Sequence, residues 1–184
     1  MMTDFISFSK IPRYSRECIV TEKIDGTNGQ IYITYPDDGL PEFLVGSRSR
    51  WITPENDNHG FAKWAWENEE ELLKLGPGRH FGEWWGQGIQ RNYGLKEKRF
   101  SLFNLKRWND LEVRPKCCEI VPILWRGDFP PPVEGILANL KIHGSKAAPG
   151  FMNPEGIVVY HTAGNLLLKK TFGKDGVVPK INTP

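Results

Sequence analysis

Hydrophobic and polar positions alternate with the period of a β-strand through most of the chain. Residues 17–23 and 28–35 read as two strands around "DGTN", since "QIYITY" alternates and Asp-Gly is a tight-turn signal. A third strand is expected over 42–50, "EFLVGSRSR", after the turn-forming "PDDGLP". Further strand-like runs are "RHFGEWWG", "RFSLFNL", "CCEIVPILW", "EGIVVY" and "NLLLKKTF". The pattern therefore predicts a protein built mostly of short strands.

Helical periodicity is confined to two stretches. The segment "NDNHGFAKWAWENEEELLKLGPG" repeats apolar residues at helical spacing, with residues 56–58 as caps and Gly76-Pro77 as the stop. The apolar positions are Phe61, Trp64, Ala65, Leu72 and Leu75. A second, shorter helix entered through prolines is predicted over "PPPVEGILANLKIHG". Many strands and few helices, not in strict alternation, predict an α+β fold with mainly antiparallel sheets.

Length and composition narrow the class of protein. A chain of 184 residues predicts one domain, spanning 1–184, with a single hydrophobic core. The 39% hydrophobic content, 25% charged content and seven tryptophans exclude a disordered or fibrous chain. A formal net charge of +2 is too small to indicate nucleic-acid binding by itself, although a local basic groove is compatible with it.

Cysteine and histidine usage argues against a disulfide framework and against a zinc site. Cys18, Cys117 and Cys118 form no C-x-x-C pair, and the four histidines lie far apart in the sequence. This pattern fits a reducing compartment. The first residues lack an apolar leader core, and no later run approaches the roughly 18 apolar residues of a membrane span. We therefore expect a cytoplasmic protein without a membrane partner.

Charged residues recur at the predicted strand ends. Lys23 lies in "EKIDG", and Lys-x-Asp-Gly alone is a weak signal because a solvated hairpin produces it by chance. Four later clusters strengthen it: "SRSR" at 47–50, "GEWWG" at 82–86, "EG" at 155–156 and "LKK" at 168–170. Each interrupts an apolar run where burial favours an uncharged residue. Their recurrence indicates a shared functional site.

In this order the clusters resemble the motifs of covalent nucleotidyltransferases, the superfamily of ATP-dependent ligases and mRNA capping enzymes, and specifically its RNA ligase branch. "TEKIDGTN" is similar to motif I of RNA ligases of the second type, "GSRSR" to the following arginine motif and "FGEWWGQGIQRNY" to motif III. "RFSLFNL" resembles motif IIIa, "EGIVVY" motif IV and "LLLKKTF" motif V. The resemblance covers about 17–180 and implies a nucleotidyltransferase fold, an ATP-grasp-like ligase core of two mainly antiparallel sheets with flanking helices.

The resemblance implies a covalent mechanism. Lys23 would attack the α-phosphorus of ATP, expel pyrophosphate and hold AMP as a phosphoramidate. Lys169 and Lys170 correspond to the lysines of motif V that act on the phosphates, and "KKT" matches a Lys-x-Thr form with Lys169 leading. The family usually shows Lys-x-Lys or Lys-x-Thr here, and because this sequence has the second form, the second phosphate-binding lysine stays open. The alternative for this pair is an edge strand protected from aggregation by its charges.

Carboxylates and arginines complete the implied phosphate and ribose contacts. Glu155 corresponds to the ligand of a magnesium or manganese ion, and Glu83 to the acceptor for ribose hydroxyls. A surface carboxylate is the alternative for Glu83. Arg48 or Arg50 corresponds to the arginine that grips ribose or phosphate. Strand alternation places both arginines on one face, so spacing does not choose between them, and we favour Arg48.

The remaining implied contacts surround the base. Phe103 stands where the family stacks an aromatic ring on the purine, with a core phenylalanine as the alternative. Glu22 corresponds to an acidic residue that faces the adenine amino group. Ile24 is included among the nucleotide-binding residues, and Asn28 is expected near the ribose or the reacting end. A turn asparagine is the alternative for Asn28.

The expected activity is that of an RNA ligase, which transfers AMP to a 5′-phosphate RNA end and joins that end to a 3′-hydroxyl. The alternatives are a GTP-dependent capping guanylyltransferase, a DNA ligase core, and a non-catalytic module that binds nucleotides or RNA ends. Only "GKDGVVPKINTP" follows motif V, so neither an OB-fold nor another appended domain is expected. The predicted RNA contacts are Arg91, Lys96, Lys98 and Arg99, with a solvated loop as the alternative.

Overall fold

The structure of the protein, a computed structural model, describes residues 3–36 and 39–173. Residues 174–184, on which the expectation of no appended domain after motif V rests, lie outside the described residues. The strands are β1 Glu17–Lys23, β2 Thr27–Thr34, β3 Glu42–Gly46, β4 Trp51–Ile52, β5 Gly78–Gly86, β6 Lys98–Leu102, β7 Cys118–Ile120, β8 Ile123–Asp128, β9 Gly156–His161 and β10 Leu166–Thr171. The helices are α1 Phe61–Glu67, α2 Glu69–Leu72, α3 Leu105–Trp108 and α4 Val133–His143, with a 3₁₀ turn at Leu73–Leu75.

The strands form two sheets. One has the order β10-β9-β1-β8 and is antiparallel throughout. The other has the order β4-β3-β2-β5-β6-β7, and its pairs are antiparallel except for the parallel pair β6–β7. This arrangement confirms the predicted α+β fold with two mainly antiparallel sheets and flanking helices.

Each sheet buries one face under helices, and part of its other face packs against the second sheet. In the six-stranded sheet, Ile31 and Phe100 pack with Phe61 of α1 in the largest core cluster. In the four-stranded sheet, Val20 and Ile157 pack against α4. The two remaining faces meet through a third cluster, which includes Ile19, Ile24, Trp85, Tyr93 and Val121. The end of β1 and the start of β9 pair at Lys23 and Gly156, beside this contact, and the region between the sheets at this point is called the cleft.

The predicted long helix is interrupted at Asn68. There the backbone leaves the helical region at φ −115°, and the Asn68 amide donates to the Trp64 carbonyl at 2.8 Å. Asparagine competes with the helix in this way because its short amide reaches nearby backbone groups. At the start of α1, the Asp57 carboxylate accepts the N–H groups of Ala62 at 2.7 Å and Lys63 at 3.0 Å. The cap therefore lies inside the predicted segment 56–58.

The predicted strand over 42–50 was wrong in its second half. β3 ends at Gly46, and the Ser47 N–H donates to the Arg50 carbonyl at 2.8 Å, which closes a turn into β4. The ring of Trp51 lies over Gly46, where an added Cβ would approach its atoms to 3.1 Å. Arg48 and Arg50 consequently lie in a turn, and strand alternation does not apply to them.

Two other predicted strands end or divide early. "CCEIVPILW" forms β7 and β8, separated at Pro122, which lacks the N–H that a continuous strand needs. "RFSLFNL" leaves β6 after Leu102, and the Asn104 side chain caps α3 by accepting the Arg107 N–H at 3.2 Å. Within the described residues, none of the helices combines the length and the apolar character needed to cross a bilayer.

Candidate active site

Lys23 and Glu155 meet at the end of β1, although 132 positions separate them in the sequence. Lys23 Nζ lies 2.6 Å from Glu155 Oε2, with side chains 23% and 17% exposed. β1 and β9 pair so that Lys23 is opposite Gly156, which puts Glu155 just before β9. Gly156 has φ 154°, and a Cβ there would lie 2.2 Å from the Lys170 carbonyl oxygen. The close approach of β10 therefore requires glycine beside this pair.

The turn after Lys23 is held by the loop between β5 and β6. The Asp25 backbone N–H donates to the Tyr93 hydroxyl at 2.8 Å. Arg91 Nε lies 2.9 Å from Asp25 Oδ2, an ion pair without hydrogen-bond alignment, and Arg91 Nη1 donates to the Asn153 carbonyl at 3.3 Å. Burial raises the pKa of the Tyr93 phenol. Sequence analysis missed Tyr93, for which its position as the last residue of the motif III stretch was the available signal.

Glu83 is buried beside the same turn. It lies on β5 opposite Asn28 of β2 and is 9% exposed. Its Oε1 accepts the Gly26 N–H at 3.0 Å and its Oε2 accepts the Asn28 amide at 3.2 Å. Gly26 admits no side chain, because a Cβ would lie 2.4 Å from the Trp84 carbonyl oxygen. The alternative of a surface carboxylate at Glu83 is therefore wrong.

Burial raises the pKa of Glu83 from 4.5 to about 7. The positive charge of Lys23 and the Gly26 N–H oppose this shift, whereas the negative charges of Glu155 and Asp25 add to it. Both protonation states of Glu83 are consequently populated near neutral pH. A carboxyl group of this kind can donate or accept a hydrogen bond at the cleft.

Replacing Glu83 with glutamine is expected to remove part of the pH dependence of stability. The folded pKa lies above the unfolded value, so the folded state binds the proton more tightly and stability falls as pH rises from about 4.5 to about 7. The full shift corresponds to at most about 3 kcal/mol. Denaturant unfolding of wild type and Glu83→Gln across this range measures the difference. If the unfolding free energies of wild type and Glu83→Gln change equally with pH, burial of Glu83 is not the cause. Burial also raises the pKa of Glu119, so Glu119→Gln is measured as the companion variant.

Glu22 is 1% exposed and is held by backbone donors. Its Oε2 accepts the N–H groups of Lys146 at 2.7 Å and Ala147 at 2.9 Å, in the segment after α4. Its Oε1 has no hydrogen-bond partner among residues 3–36 and 39–173. Ala148 of the same segment packs with Ile24 in the contact between the sheets. A buried carboxylate with an unfilled acceptor position is suited to a ligand that donates a hydrogen bond.

Strand register separates the two lysines of β10. Lys169 lies opposite Val158 of β9, which lies opposite Thr21 of β1, so Lys169 shares the Lys23 face of the sheet. Lys170 lies on the other face, toward α4, where its ammonium pairs with Glu134. The cleft face therefore carries Lys169, and Lys170 stabilises the packing of α4 on the sheet.

The remaining predicted residues differ in their exposure. Arg48 is exposed, and Arg50 Nη1 donates to the Asn56 carbonyl at 3.1 Å. Phe103 is 39% exposed just after β6, so its alternative as a core residue is wrong. Ile24 is buried with Trp85 between the sheets, and its place among nucleotide-binding residues stays a prediction.

A divalent ion in this cleft would depend on Glu155. The described part of the chain contains no group of three or more His, Cys, Asp or Glu side chains that could hold a metal. Magnesium is commonly held by one or two carboxylates together with water and substrate phosphates, rather than by a cage of protein ligands. The partly exposed carboxylate of Glu155 fits that mode of binding.

Comparisons with known proteins agree with this geometry. The family model described as RNA ligase matches residues 16–176. A comparison with curated protein sequences gave no match. Among solved structures, a Naegleria gruberi RNA ligase mutant with ATP and Mn is 23% identical with a TM-score of 0.62, covering 84% of this chain and 48% of that one.

Two further structures of mutants of the same ligase are similar. One, with ATP and Mn, is 24% identical with a TM-score of 0.63 and covers 86% of this chain and 50% of that one. Another, with AMP and Mn, is 22% identical with a TM-score of 0.63 and covers 92% of this chain and 57% of that one. The chain thus spans about half the length of these neighbours, whose likeness shows the fold. By the family match over most of its length, together with this fold, the chain belongs to the RNA ligase family.

Proposed function

We propose that this protein is an ATP-dependent RNA ligase core that forms a lysyl-AMP intermediate on Lys23. It then transfers AMP to a 5′-phosphate RNA end, which is joined to a 3′-hydroxyl. The observation that carries the proposal is the pairing of Lys23 with Glu155 at the cleft of a chain in this family. Neighbours of the same fold, solved with ATP or AMP and Mn, support it.

The first step follows from the chemistry of the amine. Lys23 Nζ must lose its proton before its lone pair attacks the α-phosphorus. A nitrogen–phosphorus bond forms, the bond to the bridging oxygen breaks and pyrophosphate leaves. Glu155 Oε2 is positioned 2.6 Å from the nitrogen to receive a proton from it. A magnesium or manganese ion bound by Glu155 and the phosphates would neutralise charge on the leaving group.

Other residues of the cleft orient the nucleotide. Lys169, on the Lys23 face, supplies a positive charge for the phosphates. Glu83 and Asn28, hydrogen-bonded to each other, face the ribose, and exposed Phe103 is available to stack on the purine. Arg48, exposed in its turn, is assigned to ribose or phosphate.

Labelling with ATP tests the proposal. The protein is incubated with α-labelled ATP and magnesium, and the protein-bound label is then chased with 5′-phosphorylated RNA. Retained label that moves to the RNA end is the expected result. Label from GTP alone would indicate a guanylyltransferase, transfer to DNA but not RNA a DNA ligase core, and reversible binding without retention a non-catalytic module.

Lys169→Ala is expected to reduce the rate of self-adenylylation by about tenfold or more, and Lys170→Ala by much less. The reason is register, which puts Lys169 on the cleft face and Lys170 against Glu134. Single-turnover labelling measures both rates, and thermal unfolding reports any loss of stability at the α4 contact. A larger loss for Lys170→Ala would reverse the assignment.

Base preference tests the role of Glu22. If its unfilled Oε1 accepts the adenine amine, ATP is preferred over GTP, since guanine presents a carbonyl oxygen to the carboxylate. Glu22→Gln retains an acceptor for Lys146 and Ala147 and offers an N–H group to the base. We expect it to reduce the ATP-to-GTP labelling ratio by about tenfold.

A second reading of Glu22 is structural. Alternation along β1 turns it away from the Lys23 face, toward the segment after α4, so its role could end at holding Lys146 and Ala147. In that case the ATP-to-GTP labelling ratio of Glu22→Gln would equal that of wild type, and only the unfolding temperature of the variant would change. The ratio therefore separates the two roles.

The predicted basic RNA contacts are largely engaged within the protein. Lys98 Nζ donates to the His59 carbonyl at 2.7 Å, and Arg99 pairs with Glu97 and Glu119. Arg91 pairs with Asp25 beside Lys23, so Arg91→Ala would disturb the site as well as any RNA surface. These residues stay proposed RNA contacts, but their positive charge is partly balanced by acids of the same chain.

A further inference from the structure

We propose that the exposed part of the six-stranded sheet binds single-stranded RNA by stacking unpaired bases on its side chains. The surface consists of Tyr32, Trp51, Arg79 and Phe81, which we call the aromatic platform. The assignment of RNA as the ligand of this platform rests on the proposed function, because an RNA strand whose end reacts near Lys23 must pass over a neighbouring surface.

Strand register makes the platform continuous with the candidate active site. On β2, Asn28, Gln30 and Tyr32 share one face, and their partners on β5 are Glu83, Phe81 and Arg79 respectively. The row that contains Asn28 and Glu83 belongs to the nucleotide site. The next two rows on the same face therefore lead directly from that site onto the platform.

The platform leaves large rings in solvent on one face of a well-packed sheet. Trp51 is 46% exposed and Phe81 is 49% exposed, whereas Ile31 and Ile33, on the opposite face of β2, are fully buried. Phe81 also adjoins Phe103, whose N–H donates to the Phe81 carbonyl at 3.0 Å. Exposed apolar side chains gathered on one face mark an interaction surface more often than scattered ones do.

A guanidinium group lies among these rings. Arg79 Cζ is 4.4 Å from the centroid of Tyr32 and 5.5 Å from that of Trp51. The two rings are 6.2 Å apart and inclined by 37°. Aromatic rings and arginine planes are the groups on which unpaired bases stack, and the positive charge favours the adjoining phosphates.

The charge around the platform also favours RNA. Arg48 and Arg50 lie in the turn that leads into Trp51. Besides Glu83, the acid on this face of β2, β3 and β5 is Glu42, at the far end of β3. Single strands fit better than duplexes, because paired bases do not offer their faces for stacking.

Equilibrium binding of a short fluorescein-labelled single-stranded RNA, followed by anisotropy, tests the platform. Trp51→Ala is expected to weaken binding by about tenfold, and Trp51→Phe to restore most of it. Arg79→Lys keeps the charge but loses the planar group, so it should also weaken binding several-fold. The matched control is Trp66→Ala. Trp66 is 42% exposed on α1 and packs on Phe43, at the opposite side of the sheet. Its loss should leave the affinity for RNA within about twofold of wild type.

Abasic RNA separates stacking from charge. A strand of the same length without bases should bind wild type about as weakly as intact RNA binds Trp51→Ala, and Trp51→Ala should lose little further affinity for it. Equal affinity of wild type for the two strands would overturn the proposal, as would unchanged RNA binding by both Trp51→Ala and Arg79→Lys. Thermal unfolding confirms that the compared variants are folded.

Two further measurements give the remaining outcomes. Arg79→Lys, on β5 and outside the turn that carries Arg48, should keep wild-type self-adenylylation. Wild type and Trp51→Ala should have the same mass in solution; a concentration-dependent dimer of the wild type that Trp51→Ala dissociates would reassign the face to a second copy and overturn RNA stacking. If the wild type is not labelled by ATP but still binds intact RNA more tightly than abasic RNA, the proposed function is wrong and the aromatic platform still stands.

Discussion

Lys23→Ala is expected to abolish covalent attachment of AMP to the protein. No other side chain replaces its amine at the end of β1, where Nζ lies 2.6 Å from Glu155 Oε2 in the cleft described here. Since this atom forms the nitrogen–phosphorus bond in the proposed mechanism, its removal should eliminate the step rather than slow it. Incubation with α-labelled ATP, followed by denaturing gel analysis, measures the label. In the wild type, the linkage should be acid-labile and alkali-stable, and peptide mapping should place it on Lys23.

The matched control is an exposed lysine–glutamate pair. Lys63 and Glu67 form an i,i+4 pair on α1 at 4.0 Å, with side chains 72% and 61% exposed. Lys63→Ala removes the same charge and the same number of atoms without touching the cleft, so its labelling should equal that of wild type. Label that survives Lys23→Ala at the wild-type level would refute the lysyl-AMP mechanism.

Removal of divalent ions, or of the Glu155 carboxylate, is expected to have the second largest effect on the rate of self-adenylylation. The pyrophosphate leaving group of ATP carries negative charge that lysines alone do not neutralise, and Glu155 is the partly exposed carboxylate beside Lys23. Self-adenylylation should stop in EDTA and return when magnesium or manganese is added in excess. Glu155→Ala should lose about a hundredfold or more in labelling rate even with metal present.

The design separates loss of metal from loss of the ion pair. Glu155→Gln keeps the size and one oxygen of the side chain but removes its charge, so partial recovery at high manganese would indicate ligation. Glu67→Ala, the exposed counterpart, should behave as wild type. Full labelling by wild type in EDTA, or full labelling by Glu155→Ala, would show that this carboxylate does not serve a metal-dependent step.

Local patterns in the sequence determined most of the elements. Alternation and the Asp-Gly turn predicted β1 and β2, and the proline-led apolar period predicted α4, because these signals act between residues close in the chain. Motif order pointed to Lys23, Glu83 and Glu155 for a similar reason: the residues next to each of them in the sequence identify it. The family and the class of fold followed from the sequence alone.

Contacts between distant segments decided the rest. The carboxylate of Glu22 is held by backbone N–H groups of residues 146 and 147, and such donors carry no side-chain signature. Tyr93 and Arg91 reach Asp25 through the fold of a loop that contains positive-φ residues. The turn at 47–50 is closed by the Ser47 N–H and the Arg50 carbonyl, and Gly46 leaves room for the ring of Trp51 beside it.

The two lysines of β10 show the physical limit of sequence analysis most clearly. Adjacent residues of a strand face opposite ways, so a shift of one position in the pairing with β9 would exchange Lys169 and Lys170. The sequence "LKKT" is compatible with either choice, and only the pairing of Lys169 with Val158 and of Lys170 with Ile157 selects one. The sequence by itself determined that two adjacent lysines stand on this strand; the tertiary structure decided which one faces the cleft, because facing depends on partners that lie elsewhere in the chain.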